Sequence, residues 1–274
     1  METVRGLTLA TTEVDAHGEQ CDKQFLLDLV ASMPTRLPLN QHHDVGRPTV
    51  GYMENLRVEP HGPGWALKVD VAFDGSPPSS GGLSFSTTRI LLPAEEPTFS
   101  LFVPYPYYND QTLLTGLAGD NRDTSIGKWI KKSITPGDIS LIVSIISLFI
   151  SPAWKKTYDE RVHPRLADLA ASAKAALQGK NAGRTVRVDY LQPVSIAEYG
   201  GHIELYFIPT EHADTALAYG FAVREAIGGG MDLVKADWER SHQPIRRIVY
   251  VFQPDACLYR PTQIIYVDGD TRAI

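Results

Sequence analysis

Alternating apolar and polar positions dominate the first hundred residues. "VRGLTLATT" (4–12), "TVGYMENLRVE" (49–59) and "WALKVDVAF" (65–73) predict strands, with "HGPG" (61–64) as the turn between the last two. "LSFSTTRILL" (83–92) and "TFSLFVPY" (98–105) predict two more. Helical spacing interrupts this rhythm at "CDKQFLLDLVASM", where Phe25, Leu26, Leu29 and Val30 share a face and Pro34 ends the run. Five strands and one early helix in so short a stretch point to a small barrel or curled sheet.

The pattern then changes. Residues 109–137 are polar and glycine-containing and read as a linker. "ISLIVSIISLFI" (Ile139 to Ile150) is the most apolar run of the chain. Read as a helix, it places Ser140, Ser144, Ser147 and Ser151 on one face, a stripe where another backbone can approach. Extended to Trp154 it would be about 24 Å long, short of the roughly 30 Å of a bilayer core. Lysine pairs flank it, Lys131–Lys132 and Lys155–Lys156. Burial is the first reading; membrane insertion or an oligomer contact is the alternative. Next, Leu166, Leu169, Ala170, Ala173 and Leu177 mark a surface helix, with Gly179 as a stop.

The last third alternates again. Strands are expected at 185–194, 201–209, 246–253 and 262–269. Between the pairs lie a helix at 211–227, a stop at Gly228–Gly230 and a short helix at 231–241. The fold class is therefore α+β. It is divided into an N-terminal small β-barrel domain (1–108), a linker (109–137), a helical segment (138–180) and a C-terminal α+β domain (181–274).

Composition narrows the chemistry. The chain has 274 residues and a formal net charge of −6, which argues against a general nucleic-acid binder. Cys21 and Cys257 are the only cysteines, so neither a disulfide framework nor a zinc pattern is present. The N-terminus lacks the apolar core of a signal peptide, and a cytoplasmic location is expected. His202 and Glu204 share a strand face, with Glu211 and His212 close behind, but no accompanying motif makes them a metal site. The glycine triplet has no lysine–serine/threonine pair after it, so it is no phosphate loop. No metal or cofactor is expected. Basic residues around Trp238 are diluted by Asp232, Asp237 and Glu239 and read as a solvated helix face. The second half is rich in tyrosine, which hints at a binding role.

A serine nucleophile needs a base, and histidine is the usual one. Ser84, after Gly81–Gly82, and His43, just before a strand, are the candidates; His42 is the alternative base. The order of features around them resembles the phage prohead (capsid maturation) protease family. The matching features are Asp15 and Gly18, the helix around Phe25 to Met33, His43–Asp44, "PTVG" at Pro48 to Gly51, "GWALKVDVAF", "GLSF" at Gly82 to Phe85 and "FSLFVPYP" at Phe99 to Pro106. The resemblance spans roughly Val4 to Tyr108. It implies the fold of herpesvirus assembly proteases and a serine endopeptidase with His43 as base and Ser84 as nucleophile. It also implies main-chain N–H groups near Ser84 or Arg89 at the oxyanion, and cleavage of scaffold or capsid precursor proteins. The family sets an acid before its last strand to orient the histidine. Thr98 stands there in this chain, and Glu96, next to Glu95, is the candidate in its place. Protein substrates, self-processing and self-association follow. The alternative is an inactive relative acting as a protein-binding or assembly module, with Ile139–Ile150 as a membrane-active helix.

Overall fold

A computed structural model describes residues 2–14, 20–39, 49–74, 86–96, 98–104, 106–119, 122–131, 139–145, 154–180, 186–196, 201–209 and 220–274. The chain is mixed α+β with two sheets. It forms two compact units. One comprises Met1–Ser86, Lys131–Gly137 and Ile265–Arg272; the other comprises Thr87–Ile130, Asp138–Ile264 and Ala273–Ile274.

The first unit is built on strands β1 (Glu2–Thr11), β2 (Arg36–Pro38), β3 (Gly51–His61) and β4 (Gly64–Phe73), with helix α1 (Lys23–Ser32). The strands lie in the order β1-β4-β3-β2, antiparallel throughout. Alternation fixes which face is buried. Leu67, Val69, Val71 and Phe73 of β4 lie at most 7% exposed. Helix α1 sets Leu26 and Leu29 against Leu67 and Ala10, and Leu39 and Met53 pack on Val69 and Val71. Each such side chain contributes about 1.5–3 kcal/mol. Asp22 starts α1 by accepting the Phe25 N–H at 2.7 Å. Pro34 follows the last turn, as expected.

Asp70 ties the sheet together where β1 and β3 both slip register against β4. Its carboxylate accepts from the Gly6 N–H at 2.8 Å, from Asn55 Nδ2 at 3.2 Å and from Arg57 Nη1 at 3.2 Å. The Gly6 N–H, then Asn55 and then Arg57 hold its carboxyl below the usual carboxylate range, against the opposing effect of burial. The sign follows from linkage. A carboxyl with a depressed folded pKa adds stability that is full above its unfolded value, about 3.9, and is lost as pH falls through the folded value. Protection factors of β1 and β3 amides, taken relative to the intrinsic exchange rate at each pH, are therefore expected to fall below about pH 4. In Asp70→Asn, exchange should be faster at neutral pH, and that acid dependence should flatten. An unchanged pH profile in the variant would count against the hub.

Among the described residues the second sheet has nine strands, in the order β13-β12-β11-β10-β9-β8-β6-β7-β5. They are β5 (Ser86–Leu92), β6 (Phe99–Pro104), β7 (Thr124–Lys131), β8 (Ile139–Ile145), β9 (Val186–Ile196), β10 (Gly201–Ile208), β11 (Ile245–Gln253), β12 (Leu258–Tyr266) and β13 (Thr271–Ala273). The longer helices of the second unit are α2 (Gln111–Ala118), α3 (His163–Lys180) and α4 (Phe221–Ser241). Each helix lies in sequence between two neighbouring parallel strands: β6-α2-β7, β8-α3-β9 and β10-α4-β11. Antiparallel pairs β6/β8 and β9/β10 join these β-α-β modules.

Several expectations are corrected here. Among the described residues no barrel closes, because the strands expected to complete it, β5 and β6, pair in the second sheet. The linker reading of 109–137 gives way to α2 and β7; Asp110 caps α2 by accepting the Leu113 N–H at 2.9 Å. Ile139–Ile145 is no helix but an interior strand between β6 and β9, so the serine-striped, membrane-inserting helix is corrected to β8. Leu141 to Ile145 are all buried, as in a strand covered on both faces. Ile146 to Ile150, with Ser147 and also Ser151, lie outside the described residues. No helix among the described residues is long and apolar enough to cross a membrane.

The α3 reading holds: Leu166, Leu169, Ala170, Ala173 and Leu177 are its buried residues. Gly179 does not stop it, since the helix runs to Lys180. The glycine triplet does not stop a helix either, and α4 runs straight through it. A Cβ on Gly230 would stand 2.7 Å from Tyr250 Oη, so the missing side chain makes room for the tyrosine beneath the helix. Tyr190, Phe207 and Tyr250 stack across β9, β10 and β11, 5.7 and 5.0 Å apart, with Tyr259 edge-on at 5.1 Å from Phe207. Tyr190, Tyr206, Tyr250, Tyr259 and Tyr266 are core residues, so they carry no binding hint; Tyr199 and Tyr219 lie outside the described residues.

Candidate functional site

His43 and Ser84 lie in the segments 40–48 and 75–85, outside the described residues, as do His42 and Asp44. The residues from which those segments depart are described, and they are adjacent. Leu39 N–H donates to Gly51 O at 2.8 Å and Val50 N–H to Leu39 O at 3.0 Å, closing the base of the first segment. Asp74 N–H, at the start of the second, donates to Val50 O at 2.9 Å. Gly51, opening β3, pairs with Phe73, closing β4. Both segments thus leave one end of one sheet from neighbouring strands.

Gly51 makes that junction possible. Its φ is +146°, and a Cβ there would stand 2.0 Å from Ala72 O and 2.9 Å from Phe73 Cα. Only glycine fits so close a pass. The "PTVG" motif therefore has a steric cause in this fold.

A turn also touches this root. Between β12 and β13, Gly269 has φ +91°, and a Cβ on it would stand 2.0 Å from Arg36 O. Asp270 pairs with Arg36 at 2.5 Å, and Thr271 Oγ1 lies 3.1 Å from Thr49 Oγ1.

The third candidate, Glu96, stands in an exposed bend before β6. Its N–H donates to Arg122 O at 3.0 Å, while the Glu95 carboxylate meets Arg122 at 3.6 Å with both side chains largely exposed. Ser84 lies two residues before β5, which is in the second sheet, whereas His43 precedes β3 of the first. For Arg89, strand β5 supplies the backbone; nothing further is described.

The second unit holds a polar cluster that the sequence reading missed. Asp189 of β9 is fully buried. It accepts from Arg187 Nε at 2.7 Å and Nη2 at 3.1 Å, and from Tyr206 Oη at 2.8 Å. Arg247 lies over the Tyr206 ring at 5.2 Å and pairs with Glu204 at 2.5 Å. Burial first, then the Asp189 charge, push the Tyr206 hydroxyl well above its ordinary range. Tyr206 therefore acts as a donor in this network. The available signal was a charged pair, Arg187 and Asp189, at strand spacing in an apolar strand.

The metal candidates are spoken for: His202 Nδ1 lies 2.9 Å from Ser195 Oγ, and Glu204 holds Arg247. Among the described residues no group of three histidine, cysteine or acidic side chains could hold a metal ion. Glu211 and His212 lie outside them. A cavity of about 460 Å³ opens between α2, α3 and β6, with Leu101, Leu113, Leu117 and Leu169 in its walls. Its cations are already paired. Arg165 grips Asp123 at 2.9 and 3.1 Å, and Lys180 is bound to Asp110. These pairings hold both carboxyls below their usual range.

Comparison with known proteins finds no matching family model, no matching curated protein and no matching solved structure.

Proposed function

We propose that the chain is a serine endopeptidase of the prohead maturation type, with His43 as base and Ser84 as nucleophile, acting on a protein substrate. One observation supports the pairing above all. The segments carrying the two residues depart from adjacent strands, joined by the Asp74 N–H to Val50 O hydrogen bond of 2.9 Å. Asp74 and Val50, the described residues next to the two segments, are thereby neighbours.

In this reading His43 takes the Ser84 hydroxyl proton as Oγ attacks the scissile carbonyl carbon. The peptide nitrogen leaves with that proton, and water then hydrolyses the ester on Ser84. Main-chain N–H groups by Ser84 or Arg89 hold the oxyanion. The resemblance assigns the orienting acid to Glu96.

The test is labelling by a fluorophosphonate probe, together with cleavage of an unfolded protein and of the chain itself. The wild type is expected to carry the adduct on Ser84. Ser84→Ala and His43→Ala should each lower cleavage about 10⁴-fold or more with an unchanged melting midpoint. Cleavage that survives Ser84→Ala, or a wild type that neither labels nor cleaves, overturns the proposal in favour of an inactive assembly module.

A further inference from the structure

The β12–β13 turn is hydrogen-bonded within itself. Gly269 N–H donates to Tyr266 O at 3.1 Å, Tyr266 N–H to Asp270 O at 2.9 Å, and Asp270 N–H to Asp268 Oδ1 at 3.0 Å. Its apex is therefore braced by hydrogen bonds of its own. Three contacts then bring it to one place. The Gly269 backbone presses on the Arg36 carbonyl, the Asp270 carboxylate holds the Arg36 guanidinium, and the Thr271 hydroxyl meets Thr49. Arg36 is itself clamped, its guanidinium 4.0 Å over the Tyr52 ring. Arg36 opens β2, Thr49 is the last residue before Val50, and Tyr52 pairs with Pro38. The turn thus touches both sides of the short β2–β3 ladder. With only three register pairs, that ladder has little strength of its own.

We infer that Asp268–Thr271 is a positioning clasp for the root of the His43 segment. The consequence for catalysis rests on the peptidase reading above; the clasp does not. Engaged, it pins Arg36 and Thr49 and keeps the Leu39–Gly51 and Val50–Leu39 hydrogen bonds closed. Released, it leaves a ladder of three pairs to hold the root. Asp268, Asp270 and Thr271 are positioning residues, not catalytic ones.

Charge reversal tests this without disturbing Gly269. Arg36→Asp and Asp270→Arg are each expected to speed amide exchange at Leu39, Val50 and Asp74 about three- to tenfold. Amides of the β1–β4 ladder should not change. The double variant, with the pair restored in reverse, should return the root to within about twofold of wild type. Thr271→Val should loosen the root, and Thr271→Ser should rescue it. Exchange that rises equally across the unit, or does not change at the root, or is not rescued by the double variant, overturns the clasp. Peptidase turnover gives the second reading. The single variants should lower kcat with KM unchanged, and the double variant should recover it. A wild type that cleaves nothing while root exchange follows this pattern defeats the peptidase reading and leaves the clasp standing.

Discussion

Gly51→Ala is expected to destabilise the N-terminal unit by about 3–5 kcal/mol. The cause is local and backbone-bound. The new methyl would lie 2.0 Å from Ala72 O and 2.9 Å from Phe73 Cα, neither of which is a side chain that can swing away. Relief requires β3 to lift from β4 at the pair Gly51–Phe73, which also breaks the Asp74 to Val50 hydrogen bond. Of the 5–15 kcal/mol typical of a domain, this is a large share. Urea unfolding read by amide exchange in β3 and β4 should show it. A variant within about 1 kcal/mol of wild type would mean that the strands do not pass so closely. The junction that carries the functional proposal would then be wrong.

Asp189→Ala is the second large effect, at about 3 kcal/mol. The loss is not that of one favourable contact. It removes a partner from Arg187 and from the buried Tyr206 hydroxyl together. Truncating one side of a buried ion pair costs about 3–5 kcal/mol. The low end applies because the Arg187 side chain is 24% exposed and can turn toward water. Asp189→Asn keeps an acceptor for Tyr206 and should fall between wild type and alanine. Thermal melts at neutral pH rank the three. An alanine variant as stable as wild type would show that the cluster is hydrated.

The sequence revealed elements better than partners. β3 and β4 alternate over part of their length because one face meets the core, and both were expected where they stand. The existence of β5 and β6 was legible too. Their sheet was not, since β6 pairs with β7 and β8, which follow it in the chain. β8 was misread because a strand buried on both faces loses its alternation and looks like a buried helix. The α2 signal was present and passed over: Asp110 as a cap, then Leu113, Leu114 and Leu117 on one side. Gly228–Gly230 misled in the other direction. A rule about backbone freedom was outweighed by a packing need, which only the position of Tyr250 discloses. For the candidate site, order along the chain drew attention to His43 and Ser84. That Asp74 and Val50, at the edges of their segments, are hydrogen-bonded is a fact of strand pairing, which no spacing rule contains.

The first unit is discontinuous in the chain, and that sets a schedule. Its four strands are all made by residue 73, yet the turn that grips Arg36 and Thr49 belongs to residues 265–272. Ribosomes add about 5–20 residues per second, so the sheet waits roughly ten to forty seconds after Ser86 is made for that turn. During synthesis the strands can pair while the root stays unlatched. A nascent chain therefore lacks the latch on Arg36 and Thr49 until residues 265–272 have been made. For a protein proposed to cut other proteins, translation itself would then act as the safety catch.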